Sequence, residues 1–351
     1  MTETSELLVR REGGLGRLTL NRPEALGALT TGMCEAMTAA LLAWRADPAV
    51  TAVLIDHEGR GFCAGGDIRS LAESAAADGK AAFRFFHTEY RLNHLLMVYP
   101  KPVVAVMDGV TMGGGVGIAM PARYRIATER TRFAMPETGI GLFPDVGGGW
   151  HLPRLPGCVG LWVVLTGARL GPADCRRIGV ASHYVESGRL PALKAALARA
   201  GADIDAALAE FVADPGPAPI EAQIPAIDAF FGEASVEAVV AALETDATAW
   251  AREQLAAMAP KCPLSAKVSH RLLAGRPATF ADDMVVEHRL ARRVVMRPDF
   301  REGVRAVIVE KDNRPVWSPA RLEDVTQAML DEMFAPLPAD EEWTPLPGLG
   351  G

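Results

Sequence analysis

The chain alternates short, nearly continuous apolar runs with longer segments whose apolar residues recur every three or four positions. GRLTLN (residues 16–21), AVLIDHEG (52–59) and PVVAVMDG (102–109) each end at a polar or glycine turn and read as β-strands. Between the first two, LTTGMCEAMTAALLAWRADP has apolar residues at helical spacing, with Thr30 or Thr31 as N-cap and an end before Pro48. A second helix is expected over AAFRFFHTEYRLNHLLMVY, where Phe85, His87, Tyr90 and His94 are assigned to packing. Strands alternating with helices in this way predict an α/β fold.

After about residue 190 the pattern changes to alanine-rich helical segments, ALKAALARAGADIDAALAEF and VEAVVAALETDATAWAREQLAAM, separated by DPGPAPIEAQIP. LSAKVSHRLLAG and TFADDMVVEHRLARRVVM read as further amphipathic helices. APLPADEEWTPLPGLGG is rich enough in proline and glycine to be loosely ordered. The expected organisation is therefore a core over residues 1–200, a helical region over 201–335 and a loose tail over 336–351.

Composition narrows the classes. Of 351 residues, 49% are hydrophobic and 23% charged, enough apolar material for a sizeable core. A net charge of −7 argues against a nucleic-acid partner, and no apolar run is long enough to span a bilayer. Cys34, Cys63, Cys158, Cys175 and Cys262 are odd in number and scattered, with neither metal-ligand spacing nor a disulfide framework. The opening MTETSELLVRREGG has the features of neither a signal peptide nor a transit peptide, so a cytoplasmic location is expected.

Candidate chemistry sits in three glycine-punctuated segments. MPETGIGLFPDVGGG (135–149) places Glu137 and Asp145 in one loop that neither a helix nor a strand claims from its pattern. FCAGGDI (62–68) follows a strand, and Asp67 can cap a following helix, leaving the Gly66 amide at its N-terminal end. MGGGVGI (112–118) repeats this arrangement after the next strand. Two such turns could aim one N–H each at a single oxygen, as a developing oxyanion requires. Neither a dinucleotide fingerprint nor a Walker loop matches these glycines, and there is no GxSxG elbow for a serine nucleophile. Cys63 reads as a small buried apolar residue, His151 as structural, and Arg154 as able to contact Asp145.

The three motifs, in this order and after LNRPEALGAL, resemble the crotonase, or enoyl-CoA hydratase/isomerase, superfamily. MGGGVGI, RIATERTRFAMPETGIGLFPDVGGGWHLPRL, LTGARL and FREGVRAVIVEKDNRPVWSP are most similar to its 3-hydroxyisobutyryl-CoA hydrolase branch, and the likeness covers roughly residues 7–335. The resemblance implies a crotonase-like spiral of ββα units with a helical C-terminal region. It also implies an acyl-CoA substrate whose thioester carbonyl points at the amides of Gly66 and Gly114. Ala64, Gly65, Asp67, Ile68, Gly113 and Gly117 would bind the substrate, with Ala64 and Ile68 close to the nucleotide; Gly113 and Gly115 would keep side chains away from the thioester, and Arg22, Arg69 and Lys311 are candidates for the phosphates.

Hydratases of this superfamily resemble the chain at Glu137 but place a second carboxylate where Gly117 stands, and Asp145 occupies a position where they usually have glycine. By resemblance, then, the expected activity is thioester hydrolysis of a short 3-hydroxyacyl-CoA in valine breakdown. Glu137 is nucleophile or general base and Asp145 orients water or the acyl hydroxyl. No metal or redox cofactor is implied, CoA being part of the substrate, and a homo-oligomer such as a trimer is possible for such a chain. An enoyl-CoA hydratase or isomerase and a non-catalytic acyl-CoA-binding protein are the alternatives. Gly27 stands where the opening signature more often has asparagine, and IAMPARY departs from the hydrolase pattern.

Overall fold

In the computed structural model, which describes residues 5–200 and 203–349, two sheets are wound side by side by the same passage of chain. β1 (Leu7–Glu12) pairs antiparallel with β2 (Leu15–Leu20), and the pairings that follow are parallel. The larger sheet runs β1, β2, β3 (Ala52–His57), β5 (Val103–Met107), β7 (Tyr124–Ala127), β9 (His183–Tyr184). The smaller runs β4 (Gly61–Cys63), β6 (Val110–Met112), β8 (Arg132–Ala134). Each turn of the spiral thus lays one strand in each sheet. The helix or turn that follows leaves from the small sheet.

A parallel sheet must be covered on both faces, which is why its strands read as continuous apolar runs. On one face Val53, Ile55, Val103 and Ala105 share a core with α1 (Thr31–Ala46) and α3 (Lys80–Met97). On the other, Leu54, Val104 and Val106 meet Leu193 and Leu197 of α8 (Leu190–Ala200) and Ile204 and Leu208 of α9 (Ile204–Ala209). The division expected at residue 200 therefore separates two helices that cover one sheet face.

The same part of the chain also forms α2 (Ile68–Ala76), α4 (Gly114–Ala119), α5 (Gly148–His151), α6 (Val159–Thr166) and α7 (Pro172–Arg177). The C-terminal part adds α10 (Ile224–Phe231), α11 (Val236–Thr245), α12 (Ala249–Met258), α13 (Pro263–Gly275), α14 (Phe280–Val294), α15 (Pro298–Val304) and α16 (Gln327–Phe334). The run read as one helical segment over 236–258 is two helices, because Thr248 caps a new one by accepting from Ala251 N at 3.2 Å. α14 starts at a reciprocal capping box between Thr279 and Asp282 and packs along α3.

Within the segment expected to be loosely ordered, whose residues 350–351 lie outside the described ones, Glu342, Trp343 and Thr344 are instead pinned to α3 and α14. Trp343 is 2% exposed and meets the His94 ring edge-on at 5.7 Å, Glu342 pairs with Arg289 at 2.8 Å, and Arg91 donates to Thr344 O at 2.9 Å. One buried indole outweighs the proline content as a guide to order here. Among the described residues no helix is long and apolar enough to cross a membrane.

Candidate active site

The two glycine turns leave neighbouring strands of the small sheet, so they lie side by side. After β4 the chain passes through Ala64, Gly65 and Gly66, and Asp67 caps α2 by accepting from Ser70 N at 3.4 Å. After β6, Gly113 takes φ 48° and opens α4. A Cβ on Gly65 would stand 3.8 Å from Gly114 N, which measures how close the two turns are. Among the described residues, neither the Gly66 nor the Gly114 amide has an acceptor. Two unpaired donors facing one space fit an oxygen that gains negative charge.

That space is a cavity of about 590 Å³, lined by Ala64, Gly65, Gly66, Ile68, Gly113 and Gly114 on the glycine side. Leu71, Phe85, Phe86, Val110, Ile140 and Leu142 provide apolar walls, while Glu89, Glu137 and Asp145 bring three carboxylates into it. Glu137 is not in irregular loop. It opens a single 3₁₀ turn, Glu137–Ile140, after β8, and residues 148–151 form the short α5, so both ends of the acidic loop have helical hydrogen bonds.

The electrostatics follow from burial. Glu137 is 5% exposed, its Oε1 would be 3.3 Å from a Cβ on Gly113, and its Oε2 has no hydrogen-bond partner. Burial, and then the charge of Asp145, push the Glu137 carboxyl well above its ordinary range, against the pull of its own backbone amide and of Lys261. Burial also raises Asp145, to about 7, although the Tyr90 phenol donates to its Oδ2 at 2.9 Å and favours the charged form. Glu89, 2% exposed with Oε1 unpartnered, is held well above the usual range by burial and by Asp145. Each of these carboxyls raises its neighbours' affinity for a proton, so their ionisation is linked.

Behind the loop, Glu287 of α14 accepts from Gly147 N at 2.9 Å and Gly149 N at 3.1 Å. These bonds tie the backbone immediately after Asp145 to the C-terminal helices. Val146, next to Asp145, sits at φ 59° with its side chain buried. It points under α4, where a Cβ on Gly117 would fall 2.5 Å from Val146 Cβ and 2.8 Å from Asn93 Nδ2. The place that a side chain at 117 would need is occupied.

The residues expected from the sequence divide accordingly. Glu137, Asp145, Gly66, Gly114, Ala64, Gly65, Ile68 and Gly113 all line the cavity. Asp67 and Gly117 do not: Asp67 is spent on its cap and on Arg22 at 3.0 Å, and Gly117 is packed beneath Val146. Arg154 does not reach Asp145. Its guanidinium lies 3.4 Å over the Trp150 ring and donates to Trp150 O. Arg22 is held by Glu6 and Asp67 and Arg69 by Ile308 O, while Arg169 and Lys261 are the cationic residues that line the cavity. The Cys63 thiol is pushed up to about 12 by burial, as suits an apolar filler.

Sequence reasoning missed Glu89 and took Phe85 and Tyr90 for packing alone. A signal was available. Ala82, Phe85, Phe86, Leu92, Asn93 and Leu96 make the buried stripe of α3, and Glu89 falls on that stripe. A carboxylate on an apolar stripe calls for a partner or a function.

The enoyl-CoA hydratase/isomerase family model matches residues 15–334. The chain belongs to the enoyl-CoA hydratase/isomerase family. Curated relatives include the 3-hydroxyisobutyryl-CoA hydrolase, mitochondrial, of Xenopus tropicalis, 40% identical over 95% of this chain and 89% of that protein. That of Homo sapiens is 39% identical over 95% and 89%. Among solved structures, a carnitinyl-CoA dehydratase from Mycobacterium thermoresistibile superposes with a TM-score of 0.91 at 40% identity, covering 97% of this chain and 99% of that one. An enoyl-CoA hydratase from Rhodobacter sphaeroides 2.4.1 gives 0.90 at 38%, covering 97% and 100%. The fold is thus the crotonase-like spiral that the motifs implied. The cytoplasmic expectation is overturned, because these relatives are named as mitochondrial.

Proposed function

We propose that the chain hydrolyses an acyl-CoA thioester, with 3-hydroxyisobutyryl-CoA as substrate and 3-hydroxyisobutyrate and CoA as products, a step of valine breakdown. The observation that carries this reading is Glu137 and Asp145 in one cavity with the two unpaired amides of Gly66 and Gly114. The names of the curated relatives support the substrate.

In this reading the thioester carbonyl oxygen accepts from the Gly66 and Gly114 amides, which act as an oxyanion hole. The ionised Glu137 attacks the carbonyl carbon, the C–S bond breaks, and a mixed anhydride is left for water to open; or Glu137 takes the proton of a water that attacks directly. Either route ends with a carboxylate, a thiol and one released proton. Asp145 orients the water or the 3-hydroxyl, and its proton affinity near neutrality lets it pass a proton to the departing thiolate. The reaction asks for no cofactor.

Hydration of an enoyl-CoA is the second reading, favoured by Glu89, a further carboxyl in the cavity, and by the activities for which the two solved neighbours are named. The filled space at Gly117 stands against it. Thiol release from 3-hydroxyisobutyryl-CoA, followed with a thiol-reactive dye beside loss of crotonyl-CoA absorbance, separates the two. Rapid thiol release by wild type and its loss in Glu137→Gln are expected. Crotonyl-CoA hydration without thiol release would overturn the hydrolase.

A further inference from the structure

Three carboxylates share the cavity, and one of them must be ionised for either route of hydrolysis to begin. Burial and mutual repulsion work against that. Around Glu137 the charged groups are Glu89 with Tyr90 behind it on α3, Asp145 in the same loop, Arg169 after α6, Lys261 before α13, and on α15 and just after it Asp299 paired with Arg297 and Glu302 with Arg305. Lys267 of α13 is engaged by Glu237 at 2.6 Å. Among the described residues lining the cavity, two cations are therefore left to face the site, and they differ in setting. Arg169 is exposed and screened by solvent, whereas Lys261 is half-buried.

Lys261 is lodged against the turn that carries Glu137. Its Nζ lies where a Cβ on Gly167 would come within 2.8 Å and one on Gly139 within 3.5 Å, so two glycines leave the room that the ammonium occupies. Its backbone is held there, because the next residue, Cys262, donates from N to Thr138 O at 2.9 Å. Thr138 in turn donates to Val164 O at 2.9 Å. Among the described residues neither the Lys261 ammonium nor Glu137 Oε2 has a hydrogen-bond partner or a paired opposite charge.

We propose that Lys261 is a positioning residue for the hydrolysis, its ammonium serving as the counter-charge that favours the carboxylate form of Glu137 beside Glu89 and Asp145. The attraction between Lys261 and Glu137 opposes the burial that favours the neutral acid. The catalytic consequence rests on the hydrolase reading; the charge coupling itself does not.

The test follows the side-chain carboxyl carbon of Glu137 by NMR in protein carrying labelled glutamate, assigned by its loss in Glu137→Gln and titrated in wild type, Lys261→Met, Lys261→Gln and Lys261→Arg. Removing the charge is expected to raise the Glu137 midpoint by roughly half a pH unit or more, with Lys261→Arg close to wild type. The acid limb of kcat/KM should move with it while KM changes little. Lys261→Gln keeps a polar head of similar reach should the methionine variant fail to fold. An unchanged midpoint in the folded variants would overturn the proposal. A midpoint that moves in a protein releasing no thiol would uphold the counter-charge and sink the hydrolase.

Discussion

The Tyr90 phenol donates to Asp145 Oδ2 across 2.9 Å, and it does so from a helix 55 residues earlier in the chain. This bond fixes the rotamer of Asp145 and favours its charged form against burial. A hydrogen bond to a charged group contributes about 1.5–3 kcal/mol. Tyr90→Phe is therefore expected to lower kcat roughly ten- to a hundredfold with a small change in KM, and to push Asp145 to higher pKa. Steady-state kinetics across pH would show both; an unchanged kcat would mean that Asp145 needs no orientation.

Glu137→Gln keeps the shape of the side chain and removes its charge and basicity. The expected loss is about 10²–10⁴ in kcat, the range for a deleted general base. Melting should hold steady or rise, because a buried carboxyl is replaced by a neutral amide. Near-wild-type thiol release from this variant would remove Glu137 from the mechanism.

The pH dependence of stability has a definite sign. Asp145 binds its proton more tightly folded than unfolded, about 7 against an ordinary 3.8, so its contribution is complete below the lower value and is lost as pH rises through the higher one. Wild type should lose stability between about pH 4 and about pH 8 by an amount on the order of a few kcal/mol. Asp145→Asn should flatten that slope. Denaturant unfolding at several pH values would reveal it, and a parallel slope in the variant would refute the assignment.

Glu287 satisfies two backbone amides of the loop that carries Asp145, and each buried donor left without a partner costs about 1–3 kcal/mol. Glu287→Ala should lower the melting temperature and, by loosening Gly147 and Gly149 behind Asp145, also reduce kcat. Glu287→Gln retains one acceptor oxygen and should fall between. Equal activity in all three would confine Glu287 to stability.

What could be read from the sequence was what is local. Glu137 and Asp145 stood out because proline and glycine surround them, and the strands at 52–57 and 103–107 because parallel pairing demands apolar residues on both faces. β4, β6 and β8 are three residues each, too short for any period to show. Glu89 and Tyr90 belong to the site only because α3 crosses the cavity, a fact of packing that helical spacing does not encode. Arg154 failed to reach Asp145 because the Trp150 ring, four residues away, offered its face first. The tail was misjudged from its prolines, since Trp343 decides its course.

The packing at Gly117 reaches beyond this one protein's catalysis. A glutamate there would drive its Cβ into Val146 and Asn93, so Gly117→Glu should unfold or melt the protein early, by about 3 kcal/mol or more, without creating a hydratase. Calorimetry and the crotonyl-CoA assay would register both effects. Placing a carboxylate at 117 therefore demands room made at 146 and 93 as well. The packing here behaves as a lock on chemistry: while valine and asparagine fill this gap, no single substitution at 117 can place a carboxylate beside the substrate.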